Sequence, residues 1–221
     1  MTVLAGAQAR DIELVDGLRS LGLSLSSDAC AKLDAYVALL AKWNRTYNLT
    51  AIREPARMVT HHLLDALAVL PHLPQRAMLR VLDVGAGAGV PGIPLAVARP
   101  HWNIALVDSN RKKVAFLTQA AIELALPNVR AVATRVEDLM DEPPFDVVIA
   151  RAFADLRTFA QLAARHVARS GHLYAMKGVL PEEEMSALPP SIEVVATPAL
   201  HVPGIDAERH LVVMRERVAA A

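Results

Sequence analysis

Three glycines stand at alternate positions in the stretch Val81-Leu82-Asp83-Val84-Gly85-Ala86-Gly87-Ala88-Gly89-Val90. A strand-like apolar run leads into them and a helix-like run follows. Glycine carries no Cβ, so this loop can turn sharply and admit a ligand against its backbone. The helix behind it offers N–H groups and a positive dipole end to a carboxylate or phosphate. Roughly 20 residues on, the apolar run Ile104 to Val107 ends in Asp108, where an acid in such folds binds a ribose hydroxyl pair.

Two ligands compete for this pattern. Gly87, Gly89 and Gly92 match the G-x-G-x-x-G spacing of a dinucleotide loop. In that motif, however, the first glycine follows the strand directly. That residue is Gly85, and position 90 is then valine. The better match is G-x-G-x-G at Gly85, Gly87 and Gly89, preceded by Asp83. An acid there suits a cationic amino group, as in S-adenosyl-L-methionine, and repels a pyrophosphate. A tight turn that binds nothing is the third alternative.

The elements around the loop follow from periodicity. Ser26 and Ser27 offer a cap, and Leu33, Tyr36, Val37, Leu40 and Trp43 give an amphipathic helix over 28–43. Asn44 to Thr50 reads as a turn. A second helix begins near Pro55, carries Met58, His62, Leu63 and Leu67, and stops at Pro71. From residue 79 short apolar runs alternate with helices: Val81 to Val84, Ile104 to Val107, Val129 to Val132, Val147 to Ile149 and Leu173 to Met176. That alternation predicts a doubly wound, parallel α/β sheet. Ile192 to Ala196 and Leu211 to Met214 are joined without a crossover helix, so the last strand is expected to be antiparallel. The expected division is a helical extension over 1–60 and a Rossmann-like domain over 61–221.

Charge and composition narrow the function. Among 221 residues, 23 basic and 23 acidic side chains balance, so any grip on nucleic acid must come from local clusters. No apolar run approaches the ~18 residues of a membrane span, and Met1 to Arg10 lacks the character of a signal peptide. Cys30 is the sole cysteine, which excludes an internal disulfide and places the chain by default in the reducing cytoplasm.

The ordered set of motifs resembles the RsmG (GidB) family, the 16S ribosomal RNA guanine-N7 methyltransferases. The stretches that carry the resemblance are Tyr47 to Ile52, His62 to Asp65, Asp83 to Pro94, Val107-Asp108-Ser109 with Lys113 and Phe116-Leu117, and Arg135-Val136-Glu137. Ala150 to Ala154, Lys177-Gly178, and Val202-Pro203-Gly204 with Arg209 complete it. The resemblance implies a class I S-adenosylmethionine-dependent methyltransferase fold of seven strands, mostly parallel with the last antiparallel. It implies methyl transfer to N7 of one guanosine in 16S rRNA, either naked or in a small-subunit particle. By motif position Gly85 and Val90, with Ala86, Gly87 and Gly89, would line the methionine and ribose part of the cofactor. Asp83, Asp108 and Ser109 would join them, and Val136 and Glu137 would meet the adenine. Arg151 would lie where cofactor and base meet.

Elementary chemistry agrees with that target. Guanine N7 has an exposed lone pair and loses no proton when it attacks, so alignment suffices and no general base is needed. Cytosine C5 chemistry would need a thiolate, and Cys30 lies far upstream. Glu142-Pro143-Pro144-Phe145 mimics an exocyclic-amine motif but precedes the fourth strand, and reads as a loop. Arg151 and Lys177 end strands and so belong to the crevice; they are the candidate catalytic residues. Arg151 could donate to guanine O6 or hold the cofactor carboxylate, or instead pair with Asp155. Phe153 reads as packing. Arg111, Lys112 and Lys113 open a helix, where cations are unfavourable, so an RNA phosphate is a candidate partner; Arg45, Arg53 and Arg57 are weaker ones. His61 and His62 lack companions at metal-ligand spacing, so no metal is expected. A monomer is the expected state.

Overall fold

Alternate residues of a strand point to opposite faces, so strands that are apolar throughout need cover on both sides. The computed structural model describes residues 13–140 and 143–217. Met1–Arg10 and Glu142, both interpreted above, lie outside them. Seven strands form one sheet: β1 (Arg80–Val84), β2 (Asn103–Asp108), β3 (Val129–Ala133), β4 (Phe145–Arg151), β5 (Val167–Lys177), β6 (Ile192–Ala196) and β7 (His210–Glu216). Their order is β3-β2-β1-β4-β5-β7-β6. The first five in that order are parallel, and β7 runs antiparallel to both β5 and β6, as expected.

Val81, Leu106, Val147, Ile149 and Tyr174 bury against one helical layer, made by α2 (Ser27–Tyr47), α5 (Gly92–Ala98) and α6 (Arg111–Glu123) with the segment 58–73. Leu82, Val84, Ala105, Val148 and Ala150 bury against the other, where α7 (Leu156–Ala163) supplies Leu156, Phe159, Ala160 and Ala163. The chain winds outward from β1 to β3, then returns to β4 beside β1. The C-terminal ends of β1 and β4 therefore flank the switch point at which such sheets form a crevice.

Two helical segments differ from the sequence reading. The first described helix, α1, runs over 13–20; α2 then follows its cap Ser26, whose hydroxyl accepts from Ala29 N. It does not stop at Trp43 but continues to Tyr47, because Asn44 is buried and serves as a brace. Asn44 Nδ2 donates to Ile52 O and its Oδ1 accepts from Thr50 N. The second expected helix is broken into α3 (Pro55–Met58), a π-helical turn (Val59–Leu64) and α4 (Asp65–Leu67). The Thr60 hydroxyl donates to Arg57 O, and such side-chain bonds compete with the regular helical ladder. Wide turns of this kind are frequent at functional sites. This one carries His61 and His62 and leads into Asp65.

The N-terminal helices share one buried cluster with the sheet. Tyr36 donates its hydroxyl to Ala88 O across 2.6 Å, so α2 is pinned to the glycine loop. Burial pushes this phenol well above its usual range, which keeps it a donor.

Gly92, at the start of α5, is a point of close approach. A Cβ there would stand 2.1 Å from Leu106 Cδ2 and 2.8 Å from Asp83 Oδ2. Gly92→Ala is expected to destabilise the fold by about 1–3 kcal/mol through overpacking, read as a lower urea midpoint. Unchanged stability would contradict this packing.

Candidate active site

The glycine loop is fixed by the two acids at the ends of β1 and β2. Gly85, Gly87 and Gly89 have φ of 66°, 57° and 88°, values that side chains rarely adopt. Gly87 N donates to Asp108 Oδ2 at 2.9 Å, and Asp108 Oδ1 accepts from Asn110 N at 2.8 Å. Asp83 is fully buried, and its Oδ2 accepts from Gly92 N at 2.8 Å. Its Oδ1 is buried without a hydrogen-bond partner. Burial raises the Asp83 carboxyl to about 7, against the lowering effects of the Gly92 bond and of Arg151.

Beside the loop lies a cavity of about 440 Å³, within the usual size range for small-molecule sites. Gly85, Asp108, Ser109, Val136 and Glu137 all line it, joined by Lys113, Thr134, Arg135, Ala152 and Phe153. Asp83 belongs to β1 and Ala86, Gly87, Gly89 and Val90 to the loop that follows it; none of the five is among the lining residues of this cavity. Asp108 keeps lone pairs for ribose hydroxyls, since a carboxylate has about four acceptor positions. Val136 is held by its carbonyl, 2.8 Å from His166 Nε2. A glycine-backed wall, an acid at the end of β2 and an apolar residue near the third strand fit an adenosine-bearing cofactor.

A second cavity of about 430 Å³ adjoins the first and shares Ala152 with it. Thr50, Ile52, His62, Asp65, Arg151, Lys177 and Arg209 are among its lining residues. Arg151 Nη1 donates to His61 O at 2.9 Å and to Asp65 Oδ2 at 3.1 Å; its partner is thus Asp65, not Asp155. Asp155 instead caps α7 through Thr158 N. Lys177 Nζ donates to Glu184 at 2.7 Å and to Ala154 O at 3.3 Å, which neutralises it locally. Ala152 takes φ 51°, and this turn carries the chain from Arg151 past the seam between the cavities. Phe153 packs edge-on against Phe159 with ring centroids 6.0 Å apart. Its ring also leaves a Gly85 Cβ only 2.7 Å of space.

His62 is packed rather than exposed. Its Nδ1 lies 2.9 Å from His61 O and 3.3 Å from Arg151 Nη2, and its Nε2 lies 2.9 Å from Thr50 Oγ1. Burial, then Arg151, lowers it to about 4. Among the described residues no group of three or more His, Cys, Asp or Glu could hold a metal ion.

This neutral histidine has a pH consequence. The unfolded chain takes up the proton near the ordinary 6.5, the folded chain only near 4. Its contribution to stability is therefore complete above 6.5 and is lost as pH falls toward 4, by about 3 kcal/mol. Asp83 acts oppositely: its share is complete below 3.8 and is lost as pH rises toward about 7. Urea unfolding of wild type and His62→Gln should give a stability gap that narrows as pH falls from 7 to 4. Parallel curves would contradict a buried neutral His62.

Comparison with known proteins decides the family. The family profile described as GidB, rRNA small subunit methyltransferase G, matches residues 29–212. The chain belongs to the rRNA small subunit methyltransferase G family. A protein of that name from Nitrosospira multiformis is 49% identical over 210 residues, covering 92% of this chain and 96% of the relative. One from an Azoarcus species is 51% identical over 201 residues, covering 91% and 94%. Solved structures agree on the fold. TrmN from Thermus thermophilus superposes with a TM-score of 0.55 at 20% identity, covering 69% of this chain and 48% of that one. The putative methyltransferase yhhF from Escherichia coli gives 0.54 at 16% identity, covering 70% and 87%.

For a member of the rRNA small subunit methyltransferase G family, the division of residues between the two cavities is informative. The predicted adenine-side pair Val136 and Glu137 shares the first cavity with Gly85, Asp108 and Ser109, whereas Arg151 and Lys177 line the second. Asp65 and Thr50 lie within the family-like motifs, but their own types and spacing assign neither a role. The signal for Asp65 is an acid three residues past two histidines in an otherwise apolar helical run. Among the described residues no helix is long and apolar enough to cross a membrane.

Proposed function

We propose that this chain transfers a methyl group from S-adenosyl-L-methionine to N7 of one guanosine in 16S rRNA, working as a cytoplasmic monomer. The observation that carries the reading is the pair of cavities meeting at Ala152, at the C-terminal ends of β1 and β4. One has the acid and glycine wall for the cofactor; the other has arginines for a nucleotide. The rRNA acceptor rests on the relatives' names.

In this reading Gly85, Asp108 and Ser109 hold the ribose side, and Val136 and Glu137 the adenine. Asp83 and the loop residues Ala86, Gly87, Gly89 and Val90 shape the wall, Asp83 through its bond to Gly92 N. The cofactor supplies an activated methyl group on a sulfonium. Arg151 and Lys177 line the acceptor side, where Arg151 can pair with guanine O6 or a phosphate oxygen and leave N7 free to attack. Orientation by such groups can supply roughly 7–11 kcal/mol of barrier reduction. The helical extension over 1–60 and the domain over 61–221 act together, since Thr50 and Ile52 line the acceptor cavity that Arg151 enters.

The Gly87, Gly89 and Gly92 spacing would instead suit a nicotinamide-dependent oxidoreductase, and calorimetry with S-adenosyl-L-methionine and with NADH separates the two: heat is expected with the first and none with the second. Labelled methyl transfer is then compared on unmodified small-subunit rRNA, its protein-bound particle and bulk tRNA. Cofactor binding without transfer to any acceptor would favour a non-catalytic assembly factor.

A further inference from the structure

Three charged residues far apart in sequence meet at the acceptor cavity. Asp65 follows the π-helical turn, Arg151 ends β4, and Arg209 immediately precedes β7. Asp65 Oδ2 lies 3.1 Å from Arg151 Nη1, and its Oδ1 lies 3.0 Å from Arg209 Nε. The carboxylate side chain is 5% exposed, while the arginines are 24% and 26% exposed. Arg209 Nη1 also donates to Glu208 O at 2.8 Å. Each guanidinium has five donors, so each keeps some for a ligand.

Stability does not account for this arrangement. A buried ion pair of this kind contributes little net stability over well-packed apolar residues of the same volume. Two guanidiniums beside one carboxylate also leave one positive charge at the cavity, while Lys177 is balanced by Glu184. One residual positive charge matches one phosphodiester, and a planar fork suits its two oxygens.

We propose that Asp65 is a positioning residue: one buried carboxylate fixes Arg151 and Arg209 at the spacing with which they grip the acceptor nucleotide. The inference rests on the methyltransferase reading above and names the group that organises its acceptor side. Asp65 acts through the two arginines, each of which occupies one of its oxygens.

Asp65→Asn is the decisive variant, because it keeps the shape and removes the charge. Deleting a negative charge beside an RNA site strengthens RNA attraction in general, so bulk electrostatics predicts a lower KM and unchanged kcat. Misplaced arginines predict that kcat falls roughly 100-fold with KM unchanged or lower and cofactor affinity unchanged. Asp65→Glu, which restores the charge, should recover part of kcat. Unchanged kcat in Asp65→Asn, or a loss that Asp65→Glu does not relieve, would overturn the proposal. If Asp65→Asn fails to fold, wild-type side-chain NMR decides. Clamped guanidiniums show slow Cζ–Nε rotation and resolved Nη signals at both Arg151 and Arg209, and averaged signals at both would overturn it. Wild-type turnover on rRNA is the separate control for the activity reading. If it is absent, that reading falls, and the NMR result alone decides whether Asp65 clamps the pair.

Discussion

Arg151→Ala is expected to abolish methyl transfer, by roughly 100- to 1000-fold in kcat, the scale of removing one oriented charge-stabilising donor. Arg151 lines the second cavity next to its seam with the first. It ends β4, one residue before the shared Ala152, and its guanidinium is bound by His61 O and Asp65. Truncation removes a donor to the acceptor nucleotide and leaves Asp65 buried with one guanidinium instead of two. The second effect costs stability of about 1–3 kcal/mol, so a thermal melt must accompany the kinetics. Cofactor affinity is expected to change far less, because the residues that line the cofactor cavity remain. Arg151→Lys should fail as well, since an ammonium cannot reproduce a planar fork. Turnover near the wild-type value in a folded Arg151→Ala protein would reduce Arg151 to a staple between β4 and the π-helical turn.

Gly87→Asp is expected to remove cofactor binding while leaving the chain folded. A Cβ at Gly87 would meet only Gly85 O, at 3.7 Å, so the interior does not forbid a side chain. The φ of 57° adds strain of about 1–2 kcal/mol for any L side chain. An aspartate adds a second negative charge next to Asp108, whose Oδ2 is held by Gly87 N at 2.9 Å. That repulsion falls where the ribose hydroxyls should bind. Affinity should drop by at least about 100-fold, equivalent to roughly 2.8 kcal/mol, in calorimetry. Gly87→Ala is the control: it carries the strain without the charge and should lose much less. Equal losses in the two variants would assign the effect to backbone strain, and no loss in either would move the cofactor away from this loop.

The sheet was legible in the sequence because its signals are local. Buried parallel strands read as short apolar runs, the helix over 111–123 carries its apolar stripe at helical spacing, and the missing crossover before residue 211 announced the antiparallel strand. The glycine loop and its acid were legible for the same reason: Gly85, Gly87 and Gly89 lie within five residues, and Asp108 ends the next strand. In the second cavity Arg151 and Lys177 were legible as strand ends, but the partners that hold Arg151 were not. Arg209 and Asp65 are 144 positions apart, and nothing in either neighbourhood marks the other as its partner. Arg151 offered Asp155 as a nearby acid, but that carboxylate is occupied as a helix cap, while the true partner arrives from the first third of the chain. The π-helical turn at 59–64 kept an apolar pattern that a regular helix would also show. Asn44 read as a helix end because its polarity is visible in sequence and its buried bonds to Thr50 and Ile52 are not.

The most direct measurement is the identity of the methylated nucleoside. Unmodified small-subunit rRNA is incubated with the protein and labelled S-adenosyl-L-methionine, digested, and analysed by mass spectrometry. Label is expected in 7-methylguanosine at a single position, lost in Arg151→Ala and in Gly87→Asp. Label in any other nucleoside would contradict an acceptor cavity built to present N7 without a general base.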